Sequence, residues 1–187
     1  MASKTSPRDR LLETATNLFY QKGTNVGINE IIKEADVARM TLYKHFESKD
    51  ALVEAVLEQE SRSWLNSLAE RVDASARKPT DKPTAAFKVL EEDAGKRNYR
   101  GSTVINFMVD AADSKSGVHK LAQQHDVALQ DMFEGWLKEA KLKKAKRLSR
   151  QLAMLLNGAV VTAQIEGDGA ALKDARTAAQ ALITAAQ

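Results

Sequence analysis

The stretch that decides the fold is residues 28–46, which read INEIIKEADVARMTLYKHF. Its three isoleucines and the alanine before Asp36 recur at the spacing of one helix face. The chain must bend at Asp36, after which Val37, Met40 and either Leu42 or Phe46 are predicted to anchor a second helix. The outward face of this helix carries side chains that can reach phosphates and base edges, namely Arg39, Thr41, Tyr43, Lys44 and His45. A bracing helix followed by a polar-faced one is typical of a helix-turn-helix.

Capping signals place the neighbouring helices. Ser6-Pro7 predicts a helix start, and Gly23 predicts its end. Gly27 is expected to precede the first helix of the opening stretch. Ser48 is expected to cap a long helix that runs to about residue 72, with Leu52, Ala55, Val56, Trp64, Leu68 and Val72 as its buried positions.

The rest of the chain is also predicted to be helical. Residues 73–84 contain two prolines and no periodicity, so they are predicted to separate the long helix from the remainder. Helices are predicted at residues 85–94, 103–112, 118–140, 148–165 and 171–186. A strand is the alternative for 103–112, but no partner strand is present in the sequence. The predicted class is therefore all-α, with residues 1–50 and 51–187 as the two domains.

Composition limits the function. The chain has no cysteine, which excludes disulfides and thiolate metal sites, and no apolar run near 18 residues. The N-terminus has no apolar signal-peptide core, so we expect a cytoplasmic protein without a membrane span. The net charge of +3 permits nucleic-acid binding without indicating it, and residues 1–50 carry eight Lys or Arg against seven Asp or Glu. Any DNA contact must therefore depend on local geometry.

The residues from Gly23 to Leu52 resemble the TetR family of bacterial transcriptional regulators. The spacing Thr41-Leu42-Tyr43, His45-Phe46, Ser48-Lys49 carries this resemblance. The later segments are similar to that family's ligand-binding and dimerisation domain, and Tyr99-Arg100-Gly101-Ser102 with Asn106 resembles one subgroup. That subgroup often has cysteine where Ser102 stands, so thiol-based sensing is excluded here.

Three positions depart from the family pattern. Asp36 stands where glycine is usual, at a turn position that favours a left-handed backbone. Ala38 replaces the Ser or Thr that commonly caps the second helix, and Met40 replaces a frequent glycine. These departures leave the predicted fold unchanged and affect the base-reading pattern.

The resemblance and the residue chemistry together indicate a DNA-binding set. Tyr43 and Lys49 are the expected phosphate contacts, and the resemblance implies the same roles for them. Lys49 lies in the first turn of the long helix, whose free amide groups can also bind a phosphate. Arg39 and Lys44 are the candidates for base edges. The full predicted set is Gly27, Arg39, Met40, Thr41, Tyr43, Lys44, His45 and Lys49. The alternative for Tyr43 and His45 is that they only pack and solvate the second helix.

Two further sets are predicted in the second domain. The candidates to line an effector pocket are Phe87, Phe107, Asp110, His125, Phe133 and Trp136, with an ordinary helical core as the alternative. The candidates for a dimer interface are Leu152, Leu156, Ala159, Ala175, Ala179 and Leu182, in a four-helix bundle across a two-fold axis. No cofactor, metal site or catalytic group is predicted, so we expect no enzyme activity.

The sequence thus predicts a homodimeric repressor that a small-molecule effector releases from a pseudo-palindromic, double-stranded operator. The alternatives are an activator or corepressor-dependent regulator of the same fold, and a helical ligand-binding protein that has lost DNA recognition. Ala38 and Met40 favour the last of these. The basic run at residues 141–147 is a rival DNA site, for which a solvated loop is the alternative.

Overall fold

A computed structural model of the chain describes residues 6–111 and 113–186. All regular secondary structure in these ranges is helical, which confirms the predicted class. The nine α-helices in the described residues are α1 (Pro7–Lys22), α2 (Ile28–Glu34), α3 (Arg39–His45), α4 (Lys49–Ser75), α5 (Lys82–Ala94), α6 (Thr103–Asp110), α7 (Gly117–Glu139), α8 (Ala145–Glu166) and α9 (Ala170–Thr184). A 3₁₀ turn at Pro79–Asp81 precedes α5. Ala112, the predicted last residue of α6, lies outside the described ranges.

The chain divides into two compact units that do not coincide with a boundary at residue 50. The first unit contains the chain up to Arg62 together with Thr103–Gln123, and the second contains Ser63–Ser102 together with the chain from Gln124 onwards. Helices α4 and α7 are each divided between the units. The boundary between a DNA-binding domain at residues 1–50 and an effector and dimerisation domain at residues 51–187 stays a prediction.

The first unit is built around the buried faces of α1 to α3 and the start of α4. Ser6 accepts a hydrogen bond from the Asp9 amide and so caps α1, and Gly23 ends it with a positive φ of 79°, as predicted. The apolar face of α1, formed by Leu11, Leu12, Ala15, Leu18 and Phe19, is buried together with Ile31, Leu42, Leu52 and Val56. These contacts hold α2 and α3, two seven-residue helices that would be unstable alone.

Helix α6 also belongs to the first unit. The rings of Phe107 and Phe19 meet edge to face, with centroids 5.9 Å apart. At the end of α6, the Asp110 carboxylate accepts hydrogen bonds from the Thr24 amide (3.0 Å) and hydroxyl (2.9 Å). The loop between α1 and α2 is therefore tied to α6.

The second unit contains the ends of α4 and α7 with α5, α8 and α9. Its core includes Leu68, Phe87, Phe133, Leu152 and Leu172. Two of its helices begin three residues earlier than predicted. Helix α5 begins at Lys82 instead of Ala85, because Pro83 fits the first turn of a helix, where no amide donor is needed. Helix α8 begins at Ala145 instead of Leu148, inside the basic run for which a solvated loop was the alternative.

Candidate functional site

The turn between α2 and α3 is closed by backbone hydrogen bonds. The Asp36 amide donates to the Lys33 carbonyl (3.3 Å), and the Val37 amide donates to the Ile32 carbonyl (3.1 Å). This is the paired bonding of a Schellman motif, whose closing residue takes a left-handed conformation. Asp36 has that conformation, with φ at 50°, which confirms the predicted left-handed backbone at this position. Arg10 of α1 donates to the Asp36 carbonyl (3.3 Å) and so fixes the turn to the first helix.

Helix α3 is anchored through one face only. Leu42 is completely buried, Phe46 is buried at the end of the helix, and Val37 packs partly against the same core. The predicted anchoring role of Met40 is wrong, because its side chain is 84% exposed. Met40 lies two residues before Leu42, about 200° around the helix, so it points away from the core.

The exposed face of α3 carries most of the predicted DNA-binding set. Arg39, Met40, Lys44 and His45 are exposed, and the Tyr43 side chain is 45% exposed. Thr41 is half-buried beside them. A protruding helix that presents an arginine, a lysine, a histidine and a tyrosine can contact base edges and phosphates of a duplex. Ala38 precedes the helix in an extended conformation and provides no side-chain cap, as predicted.

A second element of this surface is the start of α4. Ser48 accepts a hydrogen bond from the Ala51 amide (3.0 Å), so it caps the helix as predicted. Lys49 lies in the first turn and is partly exposed. Gly27 precedes α2 in an extended conformation, with no side chain within 4 Å of where a Cβ would stand. The open space and the free amides of a helix start suit contacts with a phosphate backbone.

The six predicted effector residues are divided between the two units. Phe107 and Asp110 of the first unit line a cavity of about 470 Å³ together with Lys49, Glu54 and Val118. The other four are buried in the second unit. There Phe133 lies 6.2 Å from the ring of Phe87 and 5.5 Å from that of Trp136, as in an ordinary core. Their role in effector binding stays a prediction.

His125 is the most unusual of the six. Its ring is buried and lies 5.3 Å from the ring of Trp64. Burial lowers the pKa of His125, while the neighbouring charge of Asp126 acts in the opposite direction. The neutral imidazole is therefore favoured in the folded protein.

A polar cluster next to His125 was not predicted from the sequence. The Asp126 carboxylate accepts hydrogen bonds from Gln130 (2.7 Å) on α7 and from Asn157 (3.1 Å) on α8. All three side chains are half-buried in the second unit. The spacing of four between Asp126 and Gln130 was a detectable helix pair, whereas the contact with Asn157 depends on the packing of α8 against α7. Among the described residues, no group of three acidic or histidine side chains is placed to hold a metal ion.

The predicted dimer residues differ in what they expose. Leu152, Leu156 and Ala179 are completely buried within one chain, so they have no surface to offer a partner. Ala159, Ala175 and Leu182 line an open groove of about 940 Å³ between α8 and α9. Met154, which also lines the groove, is 69% exposed, and Ile165 of α8 is 79% exposed. The exposed apolar face is thus the one through Met154, Gly158 and Ile165, offset from the predicted one.

Comparison with known proteins supports this description of the N-terminal unit. The family model of bacterial regulatory proteins of the tetR family matches residues 11–56. A curated relative, the HTH-type transcriptional repressor KstR2 of Mycolicibacterium smegmatis, is 32% identical over 83 residues, which are 44% of this chain and 40% of the relative. An uncharacterised HTH-type transcriptional regulator of Mycobacterium tuberculosis is 44% identical over 55 residues, or 29% of this chain and 27% of that protein. The matches thus span about a quarter to two fifths of the length of these relatives.

Solved structures match nearly the whole chain. A TetR-family transcriptional regulator of Streptomyces coelicolor is 26% identical, with a TM-score of 0.84, and the match covers 96% of this chain and 95% of that one. The reduced form of Escherichia coli NemR has a TM-score of 0.83 at 20% identity, covering 95% and 97% of the two chains. The similarity to NemR indicates a shared fold.

Proposed function

Because the chain belongs to the TetR family of bacterial transcriptional regulators, we propose that it binds a pseudo-palindromic operator as a homodimer and represses transcription until a small-molecule effector releases it. The observation that carries this proposal is the exposed face of α3. Its cations and Tyr43 project from a helix that is anchored only by Leu42 and its flanking residues.

Contacts to phosphates and to bases are assigned to different residues. Tyr43 and Lys49 contact phosphates, because Tyr43 lies near the end of α3 and Lys49 at the start of α4. His45 and Thr41 add contacts to the DNA backbone beside them. Arg39 and Lys44 contact base edges, since they lie on the exposed face of α3 and Arg can bond guanine through two hydrogen bonds. Gly27 allows close approach of the backbone to the duplex, and Met40 provides an apolar contact.

The dimer is proposed to form through α8 and α9. Their groove is lined by small and apolar side chains, and the exposed methionine and isoleucine beside it would be buried by a second copy. An isologous pairing of these two helices gives a four-helix bundle and presents two copies of α3 to successive major grooves.

Release by an effector is proposed to act through α4, which carries Lys49 at its start and extends into the second unit without a break. An effector that favours one orientation of α4 changes the separation of the two α3 helices. The coupling must be reciprocal, so operator DNA weakens effector binding by the same factor.

The test is DNA binding to fragments from around the protein's own gene, measured by gel shift and fluorescence anisotropy. Lys49→Ala should weaken binding to operator and random duplexes alike and lower the salt dependence by about one unit of slope. Arg39→Ala should cost about 1–3 kcal/mol on the operator and little on random DNA. An equal loss on both duplexes for Arg39→Ala would refute its base-reading role.

A second candidate is a helical ligand-binding protein of the same fold without DNA recognition. Two observations favour it: the missing side-chain cap of α3 and the bulk of Met40 on its exposed face. Absence of any sequence-specific shift, with a ligand still bound in the second unit, would support this candidate. An activator or corepressor-dependent regulator would show the same DNA contacts with the opposite response to the ligand.

A further inference from the structure

The second unit concentrates positive charge at one end. Lys82 marks this end, because its ammonium contacts Asp73 near the end of α4 (3.1 Å) and Glu139 at the end of α7 (2.8 Å). The ends of α4 and α7 and the start of α5 therefore meet at Lys82. The exposed segments that follow α4 and α7 carry seven cations, which we name the basic end: Arg77, Lys78, Lys141, Lys143, Lys144, Lys146 and Arg147.

The charges of the basic end are not neutralised within the chain. Its seven cations form no ion pair with any described residue, whereas Lys82 occupies both Asp73 and Glu139, and Lys138 pairs with Glu134. Asp81, the remaining acid near Lys82, is half-buried and takes a hydrogen bond from Thr80. From residue 140 to residue 165 the chain has six Lys or Arg and no Asp or Glu.

This concentration is unfavourable for folding. Lys141 and Lys144 have left-handed backbones, with φ of 58° and 56°, where glycine or asparagine would be less strained. Lys146 and Arg147 lie in the first turn of α8, where the helix dipole repels cations and no acid is present. The hydrogen bonds from the Lys141 amide to Lys138 and from the Leu142 amide to Leu137 are backbone bonds, so they need no lysine side chain.

The composition of the basic end distinguishes between classes of partner. Among the described residues, none of the large apolar side chains that are exposed lies in its segments. An amphipathic membrane-binding surface inserts apolar side chains, and a protein interface has an apolar or aromatic centre. A surface of lysine and arginine alone fits the phosphate backbone of a nucleic acid, which is bound by charge and without base contacts.

We propose that the basic end is a second, sequence-independent binding surface for double-stranded DNA, separate from the exposed face of α3. It binds phosphates through its lysine and arginine side chains. This surface does not rest on the proposed operator binding, since it shares no residue with α3 or with the start of α4.

The test uses the full-length chain carrying Arg39→Ala, Lys44→Ala and Lys49→Ala, which remove the first surface. Binding to a random-sequence duplex of about 30 base pairs is measured between about 50 and 200 mM salt. The variant changes Lys141, Lys143, Lys144 and Lys146 to Gln. The matched control changes the exposed Lys88, Lys96, Lys120 and Lys173 to Gln, so both lower the net charge by four.

If four phosphate contacts are lost, the slope of log K against log salt should fall by about 3.6, at about 0.9 for each contact. If all seven cations contact phosphates, the starting protein should lose about 6,000-fold in affinity over this salt range, and the basic-end variant, which keeps three of them, should lose about 40-fold from a weaker start. The control should keep a slope within about one unit of the starting protein. Equal effects of the two variants would overturn the proposal, because net charge alone would then explain binding.

Two further measurements keep the result interpretable. Lys144→Gly removes one charge and relieves a left-handed backbone, so it should weaken random-DNA binding while Tm stays equal or rises. A lower Tm with unchanged DNA binding would show a structural role and overturn the proposal. Tighter binding to vesicles of anionic lipid or to polyglutamate than to the duplex, at equal charge concentration, would also overturn it. Operator binding by the chain with an intact α3 tests the first surface independently.

Discussion

Helix α3 lacks a side-chain cap, so a hydroxyl at position 38 is expected to stabilise it by a measurable amount. Ala38 already has the extended backbone of a capping residue, with φ at −72° and ψ at 149°, and its side chain is exposed. A hydroxyl placed there can accept a hydrogen bond from an amide of the first turn without any backbone change. Ala38→Thr should therefore stabilise α3, whereas Ala38→Val, which has the same shape without the hydroxyl, should not.

The expected difference is about 1 kcal/mol, the usual contribution of such a cap. It corresponds to an equilibrium constant for the opening of α3 that is about fivefold smaller, and so to about fivefold slower amide exchange. The assay is amide hydrogen exchange of the α3 residues under native conditions, because this reports local opening of a seven-residue helix. The Val variant controls for side-chain volume and β-branching.

Equal protection of the α3 amides in the Thr and Val variants would refute the reasoning. It would mean that the amides at the start of α3 are already satisfied by another partner. Slower exchange in both variants, relative to the parent chain, would assign the effect to packing of the branched side chain instead of to the cap.

Three further predictions concern other parts of the chain. Asp36→Ala should lower the free energy of unfolding by about 1 kcal/mol, because alanine tolerates the left-handed turn less well than aspartate. Urea unfolding measures this difference, and an unchanged midpoint would show that the turn imposes no strain on alanine. Met154→Asp should convert the proposed dimer to a monomer in light scattering, while Val127→Asp, at another exposed apolar position outside the α8–α9 groove, should not; no change for Met154→Asp would exclude this face as the interface. Because burial lowers the pKa of His125, the unfolded chain binds the proton more tightly, so stability is complete above the ordinary pKa of 6.5 and falls as the pH drops below it. His125→Asn should reduce this loss between pH 7.5 and 5.5, measured by urea midpoints, and an identical pH dependence in both proteins would refute the assignment.

Local signals predicted the helix-turn-helix well. Ser6, Gly23 and Ser48 act through their own neighbours, so their sequence context is sufficient to place the helix ends they mark. The left-handed backbone of Asp36 follows from the need to turn sharply between two short helices. The exposed face of α3 follows from helical periodicity once Leu42 is fixed inward.

Contacts between distant segments could not be predicted in this way. The tie between Thr24 and Asp110 joins residues 86 positions apart, and it places α6 in the first unit instead of the second. Periodicity shows which face of a helix is apolar but not what covers it. For this reason Leu152 and Leu156, which were assigned to a partner, are covered by their own chain.

The starts of α5 and α8 lie before the predicted ones because a proline and a run of cations near them favour a break or a loop. Pro83 favours a break in the helical pattern, but it lies in the first turn of α5, where its missing amide costs nothing. The lysines before Leu148 favour a solvated loop, although the chain enters α8 at Ala145 through the left-handed Lys144. Cations at a helix start are uncommon because of the helix dipole, so the usual signal of acidic residues was absent.

The exposure of Met40 also has a consequence for oxidative damage. With no cysteine in the chain, the thioether sulfurs are the main targets of peroxide. Among the described methionines, Met40 and Met154 are exposed, whereas Met108 and Met132 are half-buried. A dimer formed through α8 and α9 would shield Met154 but not Met40. Sulfoxide should therefore accumulate first at Met40, where it replaces an apolar contact with a polar one, and methionine sulfoxide reductase should reverse the change.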